Sequence, residues 1–587
     1  MIEMKTEKPY VLKHIFKKAF IAMIVADLAE SIAVIIDGML VGRFLGENSI
    51  AAFGIAKPFY SITGVLSAVL SAGALTVVSH WMGRGDKDKA GQLFSIACIW
   101  GIILSVTLAV AGFLLVDPVS RLFGASDVLL PETRRYLMGL FPGIPAIVMG
   151  NVLTVFLQLE GKYVNANLAV FFTVVVNLIG DLVTIFLVHG DLLGIGLATS
   201  LSYYAALAVL LFCLLHKKTM FRLSFSGINW SQSKELFQKG LPKATRRVCN
   251  IIRSILINHL IMGIGGRLAM SAFSIQGNVA DTFELPGTCL GDVVVLLCGI
   301  FYGEENEEEI KQTLTISFRH ILISVNLLAA FCFFGAPLIA TFYFGDRTEV
   351  VEAATLCLRF YAFRLPFLAF NEVYMNYFQA IGDSKRSHIL SILQRMAYIV
   401  VSAFVLGSLF GIVGVWLAFP VGELLVSLTI VVMAAVHEKH IPRKVSDLLF
   451  LPSDFGSNLK FSIRRQLKTE EDVIKASKDM RKACGEYGVE ERKSYYLSLC
   501  VEELGMNVVR HGFDKKWQSA EVRVMLVKDE LTLHFRDNAR KFDLTTWYNM
   551  FHSDDPAAHI GIKILMKISK EVTYMNSLDA NNVLVRL

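Results

Sequence analysis

Between Ile15 and Val436 the chain is a succession of apolar runs, each about 18–30 residues long, enough to cross roughly 30 Å of hydrocarbon at about 1.5 Å per residue. No water reaches the backbone N–H and C=O groups of such a segment, so each run must close its own hydrogen bonds as a helix. Twelve spans are expected: 15–40, 50–81, 92–116, 132–158, 165–188 and 193–215, then 239–264, 270–302, 312–344, 355–380, 388–409 and 411–436. From Lys460 onward charged residues are frequent and no window could span a bilayer. The chain is 54% hydrophobic and only 18% charged, against about a quarter charged in an ordinary soluble domain. The fold class expected is an all-α polytopic membrane protein of twelve transmembrane helices in two six-helix repeats, with a C-terminal cytoplasmic α+β sandwich. The segments are a first lobe at 1–215, a linker at 216–238, a second lobe at 239–436, a linker at 437–462 and a tail at 463–587.

Charge places the ends. Basic residues recur on alternate loops: Arg84, Lys87 and Lys89; Lys162; His216 to Lys218 with Arg222, Lys234 and Lys239; Lys385 and Arg386; Lys439, Arg443 and Lys444. By the positive-inside tendency these loops and both termini are cytoplasmic, in a multi-pass protein of the cell membrane. The loop GEENEEEIK at 303–311 is acidic on the same side, but acids carry little weight in that rule. The net charge of +6 therefore belongs largely to loops and gives no sign of a nucleic-acid partner. Seven of the nine cysteines lie in apolar runs without a CxxC pair and read as small core residues. No small-residue cleavage site follows the first run, which is read as a retained span.

The membrane part repeats itself. AAFGI at 51–55 aligns with SAFSI at 271–275, Gly83 with Gly303, and LGIGLA at 193–198 with VGVWLA at 413–418, all 220 residues apart. LQLEG at 157–161 aligns with FQAIG at 378–382 at an offset of 221. Equivalent helices then share one topology, and the halves are related by an axis along the membrane normal, with a site between them.

Ionisable groups inside these spans point to that site, because a carboxylate in hydrocarbon is costly and faces a cavity or a partner. Asp27, Glu30 and Asp37 fall on one face of the first helix at 100° per residue, and Asn177 and Asp181 lie in the fifth span. Oxygen ligands of this kind suit a proton or a sodium ion; the alternative for Asp37 is plain solvation at the outer end of its span. Asp281, Glu284 and Asp292 share a face of the eighth span. Arg253 in the seventh span is expected to pair with Asp281 or Glu284, either as a structural bridge or beside the solute. Arg246 and Arg247 are expected to snorkel to the membrane surface. Glu372, beside Asn371 in the tenth span, is the remaining acid of the second half. An arginine left unpaired in the cleft would favour an anionic or zwitterionic solute.

The span pattern, the repeat and DGMLVGRFLGENSIAAFGIAKP at 37–58, with MGRGDKDKAG at 82–91 and NLIGDL at 177–182, resemble the multidrug and toxin extrusion (MATE) family over about 15–436. The resemblance implies an efflux antiporter driven by Na+ or H+, exporting amphipathic and often cationic small molecules from a central cleft by alternating access, with Asp37 as the family's first-span acid.

In the tail, 470–485 and 491–511 read as helices. EVRVMLVKDELTLHFRD (521–537) and EVTYMNSLDANNVLVRL (571–587) alternate apolar and polar residues like strands in hairpins. EELGMNVVRHGF at 502–513, RDNARKFDL at 536–544 and HIGIKILMKISKEVTY at 559–574 resemble the ATP-binding domain of histidine kinases and anti-sigma-factor serine kinases. The resemblance implies that Glu503 acts as base, Asn507 holds Mg2+, Asp537 accepts from the adenine amino group, and Gly561 lets backbone approach the phosphates. The loop after Asp537 lacks the family's glycines, and His559 stands where a glycine is usual. No phospho-acceptor histidine helix precedes the domain. Three functions compete: a secondary transporter regulated by a nucleotide-binding tail, a membrane sensor whose tail phosphorylates a cytoplasmic partner protein, and a lipid flippase. Whether the tail is an enzyme, as a weak ATPase or serine kinase, stays open. An ATP-driven pump is disfavoured because GxxxxGK[ST] is absent.

Overall fold

The computed structural model describes residues 10–45, 47–123, 125–215, 219–223, 228–345, 348–515, 517–527, 529–550 and 560–587. His216 to Lys218 of the linker and His559 of the tail lie outside them. Among the described residues, 11 helices are long and apolar enough to cross a membrane. The two longest are each interrupted by a glycine, Ser231–Phe283 at Gly266 (φ 59°) and the stretch Ser384–Glu438 at Gly411 (φ 60°), a left-handed backbone that a Cβ disfavours. A shorter break at Glu284 precedes Leu285–Gly303, where Pro286 lacks the N–H that would continue the ladder. Dividing both long helices at their glycines, and joining 267–283 with Leu285–Gly303 as one bent span, leaves the twelve crossings expected.

The repeat is visible in local geometry. Asp86 caps Lys87–Leu114 by accepting from Lys89 N (3.0 Å), and Asn306, 220 residues later, caps Glu307–His320 by accepting from Glu309 N (3.3 Å). The residues before the two caps, Gly85 and Glu305, both have positive φ (79° and 51°). Gly83 and Gly303 touch: a Cβ on Gly303 would lie 3.0 Å from the Gly83 Cα. A residue in contact with its own repeat mate sits on the pseudo-two-fold axis. Around that point the lobes interlock. His80 Nε2 of the first lobe meets Ala380 O of the second at 2.5 Å, and Gly240 of the second lies against the Val69 carbonyl of the first with no room for a Cβ. The cleft between the lobes is therefore closed at the end that carries the tail.

The tail is a five-stranded antiparallel sheet in the order β1-β2-β3-β5-β4, with β1 Leu459–Leu467, β2 Ala520–Val527, β3 Glu530–Asp537, β4 Glu571–Ser577 and β5 Ala580–Arg586. β1 starts at Leu459, ahead of the expected boundary at 463. One face, with Ile463, Val522, Val524, Leu533, Phe535 and Val585, is covered by the helices Glu470–Glu486 and Glu491–Asn507, which together form the tail's core.

Candidate functional site

In the first lobe, Asp37 and Asp181 come face to face from the first and fifth spans. Asp181 is 0% exposed and, among the described residues, neither of its carboxylate oxygens has a hydrogen-bond donor. With its amide oriented to donate, Asn177 lies 2.9 and 3.0 Å from the two oxygens of Asp37. Asn177 and Asp181 are one turn apart on Tyr163–Leu182, so a single helix face presents both. Two carboxyls face to face repel unless a proton or a cation lies between them.

Asp27 and Glu30 do not join that cluster. Asp27 is about 15 Å of helix from Asp37 by a rise of about 1.5 Å per residue. It accepts from Cys289 Sγ at 3.4 Å, across the lobe boundary. Glu30 faces Arg247. A Cβ on Gly64 would lie 2.7 Å from the Arg247 guanidinium, so that side chain also lies against the first lobe.

The second lobe is wired differently. Glu423, fully buried, accepts from Arg364 Nε (3.2 Å), Asn371 Nδ2 (2.8 Å) and Gln394 Nε2 (2.8 Å). Arg364 also holds Glu284 at 2.5 Å. Glu372 is clamped by Arg246 (3.0 Å) and by Arg395, while Arg246 reaches Asn376 at 3.2 Å. Asp292 pairs with Lys243 at 3.1 Å. Asp281 is exposed on its helix. Two expectations are corrected here. Arg246 does not snorkel; it is buried, because Glu372 offers a partner inside the bundle. Arg253 does not take Glu284, which Arg364 holds, and its Nη1 is buried without a hydrogen-bond acceptor among the described residues. Sequence reading passed over Glu423, Arg364 and Arg395. Each is a lone charge inside an apolar run, the same signal that singled out Asp37.

In the tail, Glu503, Asn507, Asp537, Lys541, Phe542 and Asn581 are among the residues lining a cavity of about 480 Å3. Glu503 and Asn507 stand one turn apart on Glu491–Asn507. Asp537 ends β3 at the cavity floor, where Oδ1 accepts from Asn581 Nδ2 (2.8 Å) and Ala539 N (2.9 Å). Burial pushes its carboxyl up to about 6, against the pull of those two donors. Gly561 opens the helix Ile560–Ile568 hard against the Glu503 carboxylate, where a Cβ would overlap it. The donor set fits an adenine nucleotide: a buried acceptor for an amino group, an amide and a carboxylate for a hydrated cation, and Lys541 and Arg540 for phosphate.

The comparisons agree with both parts. The MatE family model matches residues 22–183 and 242–405, and the histidine kinase-like ATPase domain model matches 467–587. The multidrug export protein MepA of Staphylococcus saprophyticus is 25% identical over 421 residues, spanning 71% of this chain and 91% of the relative. MepA of Staphylococcus aureus strain N315 is 22% identical over 458 residues, spanning 76% of this chain and 100% of the relative. A solved structure described as the outward-facing conformation of a multidrug resistance MATE family transporter superposes with TM-score 0.67 at 23% identity, over 73% of this chain and 97% of that one.

Proposed function

The chain belongs to the MatE family of membrane transporters, and we propose on that premise that it is a secondary efflux transporter of amphipathic, cationic small molecules. Export is driven by Na+ or H+ entering the first lobe. The observation that carries this reading is the Asp37–Asp181 pair, two facing carboxyls with Asn177 beside them and no countercharge among the described residues. A pair of this kind holds one mobile cation or proton, and releasing it recreates the repulsion. That gives the lobe two states of different charge, which an alternating cleft can exploit. Asp27, Glu30 and Asp281 would then contact the solute. Glu284 and Glu372, tied to arginines, would shape the second lobe instead. The end carrying the tail is taken as cytoplasmic, in keeping with its basic loops.

The tail is proposed to bind ATP with Mg2+ and to regulate transport. Asn507 would hold the metal, Asp537 the adenine amino group and Lys541 phosphate. Glu503 stands where a base would be, and bound nucleotide would supply a leaving group.

The test is transport in sealed vesicles with imposed Na+ or H+ gradients, with and without ATP. One gradient should drive uptake of a lipophilic cation, and Asp37→Asn should abolish that drive while the protein stays folded. Full gradient-driven transport by Asp37→Asn would remove the ion-site assignment.

A further inference from the structure

The tail's sheet is buried on both faces, and only one of them meets the tail's own helices. Side chains alternate along a strand, so Arg464, Arg523, His534, Arg536 and Asn582 share the second face across β1, β2, β3 and β5. Those residues are polar, yet Arg523, Arg536 and Asn582 are only 5–6% exposed. Charged groups are buried this way when partners satisfy them, and the partners belong to the membrane part. Arg536 pairs with Glu304, and Asn582 Oδ1 steadies its Nε at 2.7 Å. Arg523 donates to the carbonyls of Glu304 (3.0 Å) and Glu305 (2.9 Å). Arg464 pairs with Glu309. The acidic loop 303–311, which broke the charge pattern of its side, is the counter-surface for three arginines of the tail.

The first lobe is held separately, by the β4–β5 turn. Leu578 and Asp579 adopt positive φ (57° and 62°) and donate their N–H groups to Leu159 O (3.0 Å) and Glu160 O (3.3 Å). Gly161 (φ 71°) admits the turn, since a Cβ there would overlap Asp579 N. The Asp579 carboxylate pairs with Lys18 of the first helix and, at 3.0 Å, with Lys541 of the tail. Between these anchors Met82 and Gly83 of the first lobe, Glu304 of the second and His534 and Asn582 of the tail line one small cleft. The sheet therefore lies across the place where the two lobes meet.

We propose that the tail is a clamp that holds the lobes together at this end, and that a nucleoside triphosphate in its cavity releases it through Lys541. This control rests on the nucleotide reading above; the clamp itself does not. Lys541 lines the cavity and also pairs with Asp579. A triphosphate concentrates more negative charge than one carboxylate and takes Lys541 from it. Asp579 is left with Lys18 alone and the turn lifts from Gly161. Neighbouring strand positions serve the two faces: Asp537 and Asn581 face the cavity, Arg536 and Asn582 the lobes. Movement at the cavity floor is thus transmitted one residue along β3 and β5. Once the first lobe is unhooked, the contacts around Gly83 and Gly303 can part while the second lobe keeps the tail.

The experiment is hydrogen–deuterium exchange on the full chain in lipid nanodiscs, with ATP and Mg2+ as the probe and binding measured on the same sample by equilibrium dialysis. Bound nucleotide should speed amide exchange at 576–581 and at 80–86 at least about fivefold, the lower range of a coupled site. Asp579→Ala should reproduce the increase without nucleotide. Lys541→Gln should show a raised baseline that ATP no longer changes. Arg536→Glu should open the same segments, and restoring protection by adding Glu304→Arg separates loss of docking from misfolding. If ATP binds and exchange at those segments is unchanged or slower, the release mechanism is overturned. If ATP does not bind, the nucleotide reading fails and the clamp is decided by Asp579→Ala, whose lack of effect at 80–86 would overturn it.

Discussion

The two lobes descend from one repeat but treat buried charge in opposite ways. In the second lobe every one of Glu284, Glu372 and Glu423 is matched by an arginine of the same lobe. In the first lobe Asp37 and Asp181 face each other with an amide and, among the described residues, no cationic side chain. The sequence positions 220 residues on make the divergence explicit. Ile257 stands opposite Asp37, and Tyr203 stands opposite Glu423. An acid in a low-dielectric bundle needs a positive partner. Where the protein supplies one, the acid is tied in place; where it does not, the proposed ion site would have a partner that comes and goes. On the reading proposed above, the second lobe is the rigid body around which the first changes charge.

The largest expected effect tests the rigid side of that comparison. Glu423→Gln leaves Arg364 with one carboxylate instead of two and turns a fully buried acceptor into a mixed amide. Removing one partner of such a network costs about 3–5 kcal/mol. The variant should lose several degrees of melting temperature in detergent and fall in membrane abundance. A variant that melts like the parent would show that the second-lobe acids are not structural.

The next effect tests the mobile side. Asp181→Asn removes one of two repelling carboxyls, so the melting temperature should stay level or rise. Gradient-driven transport should fall roughly 100-fold, the scale of one strong site-to-site coupling. If Asp181→Asn instead unfolds the first lobe, the pair is structural and the contrast between lobes disappears.

Legibility followed the same division. The membrane helices, the repeat, the carboxylates of the first span and the hairpins of the tail were readable because they rest on local periodicity. What pairs with what was not. Local sequence gives Arg246 and Arg253 a local fate, snorkelling or the nearest acid, but their surroundings are set by Glu372, Arg364 and Arg395 from helices more than 100 residues away. Twelve crossings emerge from eleven helices only through the broken helices at Gly266 and Gly411, whose left-handed backbone no composition window shows. The acidic loop at 303–311 was legible as an anomaly, and its explanation lies in strands at the far end of the chain.

The tail repeats the contrast between paired and unpaired acids. Glu304 and Glu309, at the docking face, are paired with arginines; among the described residues Glu503 and Asp537, at the cavity, form no ion pair. Asn507→Ala, which takes a polar ligand from the cavity and touches no ion pair, should weaken Mg2+-dependent ATP binding roughly tenfold, the worth of one hydrogen bond to a charged group. Equal affinity with and without Asn507 would exclude it as the metal ligand.

The smallest effect is set by Asp537. Its carboxyl is raised to about 6, so it loses its charge in mildly acidic solution. The charged form accepts more strongly from an amino group. ATP affinity of the full chain should therefore fall, by roughly tenfold between about pH 7 and pH 5, if only the ionised form binds. Stability runs the other way. A raised pKa means the folded tail favours the protonated acid, so this group's contribution is complete below its unfolded value and is lost as pH rises through about 6. Binding and stability should thus respond to pH with opposite signs, and Asp537→Asn should flatten both. A common sign for the two would mean that the carboxyl serves the tail's own packing and not a ligand.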